Sequence, residues 1–251
     1  MGKADLHIHT RAGDGLDSIE AILDYVEERT DLDVIAITEH DDVAVSLAAR
    51  EVWARGGYRF DLVTGVEVTT LEGHVVALYL EDPLPSLRRV EETVEAVRRQ
   101  GGVCFVPHPM SWLTRSIGPH ALDRLHARRR DGLWFDGIEL ATASPAAPLY
   151  LSRANRVNDL RYRLPSVGAS DAHFVQAIGS AYTEFDGSSS ADLRAAFSDG
   201  AIAGRSGVFP SLRDVGLRRA LSVPLAGLAA TPRRLGWRRT TWSFVSRYFP
   251  A

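Results

Sequence analysis

Cysteine and lysine are nearly absent from this chain: its 251 residues include one cysteine, Cys104, and one lysine, Lys3. A single thiol excludes an internal disulfide and a thiolate zinc site. Its place in the apolar run Gly102-Val103-Cys104-Phe105-Val106 marks it for core packing. With lysine scarce, the positive charge is carried by arginine. No apolar run approaches the roughly eighteen residues of a membrane span, and no charged-then-apolar leader opens the chain. A cytoplasmic location is expected, with a peripheral position at a membrane as the alternative. There is no internal repeat, no low-complexity segment and no glycine-rich nucleotide loop.

What is present suits one large domain. Hydrophobic residues make up 45% of the chain, enough for a sizeable core. The net charge of −3 is unevenly spread. Residues 213–251 hold eight arginines and one acid, Asp214, so this stretch carries +7 and residues 1–212 carry −10. An acidic body of residues 1–210 and a basic, aromatic C-terminal extension of residues 211–251 are the expected units.

Within the body, short apolar runs alternate with amphipathic stretches. Strands are expected at 4–10, 33–40, 62–68, 74–80, 102–106, 135–140, 165–173 and 181–185. Helices are expected at 18–29, 43–55, 87–100, 121–130 and 146–160, the first capped by Asp17 or Ser18 and the third stopped by Gly101-Gly102. Such alternation argues for parallel strands with crossover helices and a closed or nearly closed α/β barrel, an open doubly wound sheet being the alternative.

Histidine falls where that architecture collects chemistry. In Ala4-Asp5-Leu6-His7-Ile8-His9-Thr10, strand alternation puts Asp5, His7 and His9 on one face. Of eight histidines, six stand at or near expected strand ends: His7, His9, His40, His74, His108 and His173. Glu67 and Asp171 hold similar positions, and Asp14 lies in the loop Ala12-Gly13-Asp14-Gly15. Strand ends of a parallel barrel share one mouth, where so many imidazoles and carboxylates are costly without cations. Nine donors exceed what one ion takes. Imidazole mixed with carboxylate suits Zn, Mn or Fe rather than Ca. A carboxylate bridging paired metals is an arrangement that activates water for attack at phosphorus.

The segments Asp5-Leu6-His7-Ile8-His9-Thr10, Thr38-Glu39-His40-Asp41, Gly65-Val66-Glu67, His74, Pro107-His108-Pro109 and Ser170-Asp171-Ala172-His173 resemble, in order, the motifs of the polymerase and histidinol phosphatase (PHP) family of metal-dependent phosphoesterases. The resemblance covers roughly residues 4–175. It implies a distorted (β/α)7 barrel with two to three divalent metals. By position, His7, His9, Glu67 and Asp171 would hold a first ion, Glu67 bridging to a second on His74 and His108, and Asp14, His40 and His173 would hold a third. Asp14, where many relatives have histidine, resembles the branch acting on nucleotides and short RNA. Glu39 replaces the usual aspartate and is expected to support His40. Amidohydrolase barrels also open with His-x-His, but a carbamylated lysine from a later strand is excluded because none follows Lys3.

The expected reaction is hydrolysis of a phosphate ester by a hydroxide bridging the metals, with His7, His9, Glu67, Asp171 and His173 in catalytic roles. The substrate would be a nucleotide, a short oligonucleotide or a small phosphorylated metabolite. Histidinol-phosphate phosphatase is the runner-up, and a catalytically weak PHP module that binds or regulates is a different class. Arginine suits phosphate recognition, and Arg11 and Arg115 are the candidates. Residues 112–164 exceed one crossover and are read as a cap segment, where Arg153 and Arg156 either meet a second phosphate or form an exposed face. The tail, with Trp237, Trp242, Phe244 and Tyr248 among its arginines, would either pack on the barrel or bind an anionic membrane surface or RNA. No obligate protein partner is expected.

Overall fold

A computed structural model describes residues 1–216 together with 218, 219 and 222. Nine strands form one mixed sheet: β1 (Gly2–Ile8), β2 (Val34–Ile37), β3 (Asp61–Thr69), β4 (His74–Leu78), β5 (Val103–Val106), β6 (Gly137–Ala141), β7 (Ser166–Gly168), β8 (Ala181–Phe185) and β9 (Ile202–Ser206). Their spatial order is β7-β6-β5-β4-β3-β2-β1-β8-β9. Among the described residues, seven α-helices accompany it: α1 (Ile19–Arg29), α2 (Val43–Gly56), α3 (Val90–Arg99), α4 (Pro119–Ala127), α5 (Leu151–Val157), α6 (Ser190–Asp199) and α7 (Leu212–Val215).

Strands β1 to β7 follow chain order round the sheet, and the chain after β7 returns to β1. Ala172 bridges Ile8, the His9 amide donates to the Ala172 carbonyl at 2.9 Å, and the Ala172 amide donates to the His7 carbonyl at 3.1 Å. The β8–β9 hairpin enters at the other end, where Gly2, Lys3 and Ala4 pair antiparallel with Phe185, Glu184 and Thr183. The result is a nearly closed barrel-like sheet, and the open doubly wound alternative falls. One apolar cluster draws on strands right round it, including Leu6, Ala36, Val63, Val76, Phe105, Val167 and Phe185. A second cluster lies under α1 and α2 and a third under α3 and α4.

The expected all-parallel pairing needs correction. Strand β4 runs antiparallel to both β3 and β5. The reason is the short connection 70–73, which holds no crossover helix and so forces a hairpin. The Thr70 hydroxyl closes it, accepting from the Gly73 amide at 3.1 Å. Helix α3 begins at Val90, not Leu87, because Leu87 sits at φ 55 with its amide bonded to the Thr69 carbonyl. Strand β7 is cut to three residues because Asp171, at φ 52, leaves the ladder. Residues 146–160 break into a 3-10 turn (Ala147–Leu149), α5 and a π turn (Asn158–Tyr162). Strand β6 lies inside 112–164, so that segment carries barrel as well as α4 and α5. Helix α6 and β9 went unforeseen, although Ser189 and Asp192 form a capping box at the helix start.

Other signals hold. Ser18 caps α1, accepting from the Ala21 amide at 3.3 Å, and Gly101 takes φ 69 after α3. Cys104 is buried within its strand, and burial pushes its thiol well above the ordinary range. A thiolate-directed reagent at pH 8 is therefore expected to leave native protein unmodified over an hour and to label one thiol per chain in denaturant. Rapid labelling of native protein would contradict this placement.

Most of the basic extension lies outside the described residues, Trp237, Trp242, Phe244 and Tyr248 included. Arg219 is described and contacts both oxygens of Asp17 at 2.5 Å. No helix among the described residues is long and apolar enough to cross a membrane.

Candidate metal centre

All nine residues singled out as ligands come together at one end of the barrel. His7 lies in β1 and His9 follows it; His40 follows β2; Glu67 lies in β3; His108 follows β5; Asp171 and His173 follow β7. His74 begins β4, and only the reversal of that strand brings its first residue to the same mouth. Asp14 arrives on the loop after β1. That loop closes tightly: a Cβ at Gly13 would lie 1.9 Å from Glu39 Oε1, and one at Gly15 2.6 Å from the His9 carbonyl. Backbone leaves room only for glycine at position 15, and a side chain at position 13 would displace the Glu39 carboxylate.

Glu67 is the hub. One of its oxygens, Oε1, lies 2.8 Å from His74 Nδ1 and 3.0 Å from His108 Nε2. The other, Oε2, lies 3.0 Å from His40 Nδ1, 3.4 Å from His7 Nε2 and 3.5 Å from His9 Nε2. Asp171 Oδ1 is 3.2 Å from His9 Nε2 and 3.5 Å from His7 Nε2. Asp14 Oδ2 is 3.2 Å from His173 Nε2 and 3.7 Å from His40 Nε2.

Divalent cations fit this set. Four groups have ligand atoms within 4.8 Å of one another: His7, His9 and Asp171; His9, His40 and Glu67; His9, Asp14 and His173; and Glu67, His74 and His108. His7 Nε2 and His9 Nε2 point at each other 3.2 Å apart. The Nδ1 atoms of His40 and His74 are buried against Glu67 without a hydrogen bond. Converging ring nitrogens and carboxylate oxygens are what a shared cation satisfies. The groupings differ from the expected ones in two respects: Glu67 joins His9 and His40 rather than His7, His9 and Asp171, and His9 rather than His40 joins Asp14 and His173.

The field of the site asks for positive charge. Burial alone would raise the Glu67, Asp171 and Asp14 carboxyls. Instead His40, His74 and His7 hold Glu67 well below the usual range; His7 and His9 do the same for Asp171, and His173 and His40 for Asp14. Burial would lower the imidazoles, yet Asp171 and Glu67 push His7 up, and Asp171 and Glu39 push His9 to about 10. Burial prevails at His40, which is lowered. Backbone strain adds precision, since His108 sits at φ 30 and Asp171 at φ 52.

Two carboxylates orient the pair on β1. Glu39 Oε1 lies 3.4 Å from His9 Nδ1, and its oxygens accept from the Thr10 hydroxyl at 2.8 Å and the His40 amide at 3.1 Å. Glu39 thus supports the His9 ring rather than the His40 ring, a correction to the sequence reading. Glu139 Oε2 in β6 lies 3.5 Å from His7 Nδ1, and burial raises its carboxyl. It was missed, although an acid inside the apolar run Gly137-Ile138-Glu139-Leu140 is a signal in itself. Asp5, on the face of His7 and His9, accepts from the Ser170 amide at 3.0 Å and the Gly179 amide at 2.8 Å; burial raises it to about 6.

A cavity of about 370 Å³ opens over the cluster. Its walls are Thr69, Leu87, Leu113, Thr114 and Arg115, above Asp14, His40, Glu67, His74, His108, Asp171 and His173. Arg115 donates to the Thr70 carbonyl at 2.9 Å. Arg11 is exposed and outside this lining, and Arg153 and Arg156 are exposed on α5, also outside it.

Comparison with known proteins bears on the family and the fold. Residues 152–202 match the family described as PHP-associated. An uncharacterised protein of Methanocaldococcus jannaschii is 31% identical over 151 residues, 56% of this chain and 82% of that protein. The 5'-3' exoribonuclease Rnm of Salmonella typhimurium is 39% identical over 88 residues, 34% of this chain but 30% of the enzyme. A two-domain protein from Bacteroides vulgatus, containing a predicted PHP-like metal-dependent phosphoesterase, has a crystal structure matching with a TM-score of 0.63 at 24% identity. That match covers 80% of this chain and 64% of the other, and shows a shared fold.

Proposed function

The chain belongs to the PHP family, and from that premise we propose that it is a metal-dependent phosphoesterase hydrolysing a phosphate ester of a nucleotide or the end of a short oligonucleotide. The observation that carries this reading is the Glu67 carboxylate, buried among nitrogens of five histidines with two on one oxygen and three on the other. A carboxylate so divided suits a bridge between cations.

Two or three ions of Mn, Zn or Fe would be held by His7, His9 and Asp171 with Glu67 beside them, by Glu67, His74 and His108, and by Asp14 and His173 with His9 or His40. When bound, such ions supply Lewis acidity toward phosphoryl oxygens and bring the pKa of water toward neutrality. The protein's own groups do the rest. Glu39 and Glu139 hold the Nδ1 sides of His9 and His7, turning both Nε2 atoms inward. His173 keeps its Nδ1 on the Asp171 carbonyl at 2.9 Å, so its Nε2 faces the cavity side at Asp14. Arg115, anchored on Thr70 by one nitrogen, offers its remaining donors to a phosphoryl oxygen. The likeness of 88 residues to an exoribonuclease and the presence of Asp14 favour a nucleotide substrate.

Arg115→Ala is expected to raise KM about tenfold or more with a smaller change in kcat, read by initial rates. Arg11→Ala should leave KM within twofold, because Arg11 lies off the cavity wall. The reading as a whole is tested by phosphate release from a nucleoside 3′,5′-bisphosphate after chelation and reloading with Mn, with histidinol phosphate alongside. Mn-dependent release from the bisphosphate supports it. Release from histidinol phosphate alone overturns the nucleotide assignment, and release from neither favours a binding module.

A further inference from the structure

The walls of the cavity do not match its floor. Leu87 and Leu113 line it, yet 43% and 50% of each is exposed. Trp112, next to Leu113, is 73% exposed, and Leu71 is 59% exposed. Half of the eight large apolar residues exposed among the described residues are thus Leu87 and Leu113 of the lining and Leu71 and Trp112 on the loops that carry Thr69 and Leu113 to it.

Hydrogen bonds join those stretches into one rim. The Leu87 amide donates to the Thr69 carbonyl at 2.7 Å, and the Leu71 amide to the Arg88 carbonyl at 2.8 Å. The His74 amide donates to the Arg115 carbonyl at 3.0 Å, while Arg115 reaches back to Thr70. Leu87 also occupies the left-handed region at φ 55, where a leucine is strained and asparagine or glycine is at ease. A strained leucine that leaves 43% of its surface to water at a cavity mouth points to a ligand as its partner.

Resting on the phosphoesterase reading, we infer that Leu87, Trp112 and Leu113 form a subsite for the base of the bound nucleotide. The size of the cavity argues for this occupant. A volume of about 370 Å³ lies at the low end of the range for ligand sites. A phosphate held by Arg115 and by the ions that the Glu67 cluster would bind leaves the sugar to fill the throat, and the base emerges between the leucines. Trp112, exposed next to Leu113, would supply an aromatic face by turning over the mouth, as in single-stranded nucleic acid sites. The apolar wall accepts any base, so it would select for a nucleotide over a bare sugar phosphate without reading sequence.

The test is calorimetric binding of adenosine 5′-monophosphate and of ribose 5-phosphate to the metal-loaded full chain. The wild type should bind the nucleotide about tenfold or more tightly than the sugar phosphate. Trp112→Ala should erase most of that preference while moving the ribose 5-phosphate Kd less than twofold, and Trp112→Phe should restore it. Leu87→Asn should weaken nucleotide binding severalfold with a Tm equal to or above wild type; a leucine needed for folding would give a lower Tm. Equal affinity of the wild type for both ligands overturns the inference even if nucleotides are hydrolysed. A Trp112-dependent preference in a protein that hydrolyses no nucleotide upholds it and removes the catalytic reading instead. Self-association of the wild type that Trp112→Ala abolishes, with no base preference, would assign the rim to a second copy of the chain and overturn it.

Discussion

Glu67→Gln is expected to lower kcat/KM for phosphate release by about 10³ or more, and to lose at least one equivalent of bound metal. Removing one electrostatic element from a catalytic site costs on the order of 10²–10³, and Glu67 serves two groups of ligands at once. Glutamine keeps the shape but gives up the charge, and its amide nitrogen would face imidazole nitrogens on one side. Metal content by mass spectrometry and initial rates on the same preparation decide the matter, with circular dichroism to confirm folding. A variant that keeps its full metal complement and activity within tenfold of wild type would end the bridging assignment.

Chelated protein is expected to lose thermal stability as pH rises from about 6.5 to about 10. The cause is His9, which burial would lower but Asp171, Glu39 and Asp14 raise to about 10; unfolded histidine titrates near ~6.5. Between those values the folded chain holds a proton that the unfolded chain has released, so unfolding free energy falls as pH rises. Below about 6.5 both states are protonated and this contribution is flat. One proton corresponds to about 1.4 kcal/mol per pH unit. For a chain of this size that is roughly 3–6 °C in Tm per unit. His7, also raised, acts in the same direction. Metal-loaded protein should behave oppositely relative to it, since cations compete with protons for the same nitrogens. The Tm gap between loaded and chelated samples therefore widens with pH. A chelated sample whose Tm is flat or rises between pH 7 and 9.5 would refute the electrostatic account of the pocket.

Much of the cluster was legible because its histidines and carboxylates sit at points the chain marks. His7 and His9 alternate within a strand pattern, His40 closes an apolar run, and Asp171 and His173 follow glycine and small residues. Glu139 and Glu39 were harder to read. Which imidazole each carboxylate faces depends on how neighbouring strands stagger, and β1 carries an irregularity between Asp5 and Ile8. The rim residues Leu87, Trp112 and Leu113 were illegible for another reason: they lie on loops without periodicity, joined only by bonds between distant segments. Arg11 looked well placed by its nearness to His9, but the turn that brings Asp14 inward leaves it outside the cavity lining.

The chain by itself determined which imidazoles and carboxylates form the cluster, the order in which they arrive and the alternation of strand and helix, because these follow from side-chain chemistry and from local backbone period. It also excluded thiolate and carbamylated-lysine chemistry through one cysteine and one early lysine. Tertiary structure alone decided that β4 runs backwards, and so that His74 meets Glu67 from the opposite end of its strand. It alone brought Ala172 back to Ile8 and so joined the two ends of the site. Those outcomes depend on pairing between segments far apart in sequence, and the free energy of such pairing is written in no single stretch of the chain.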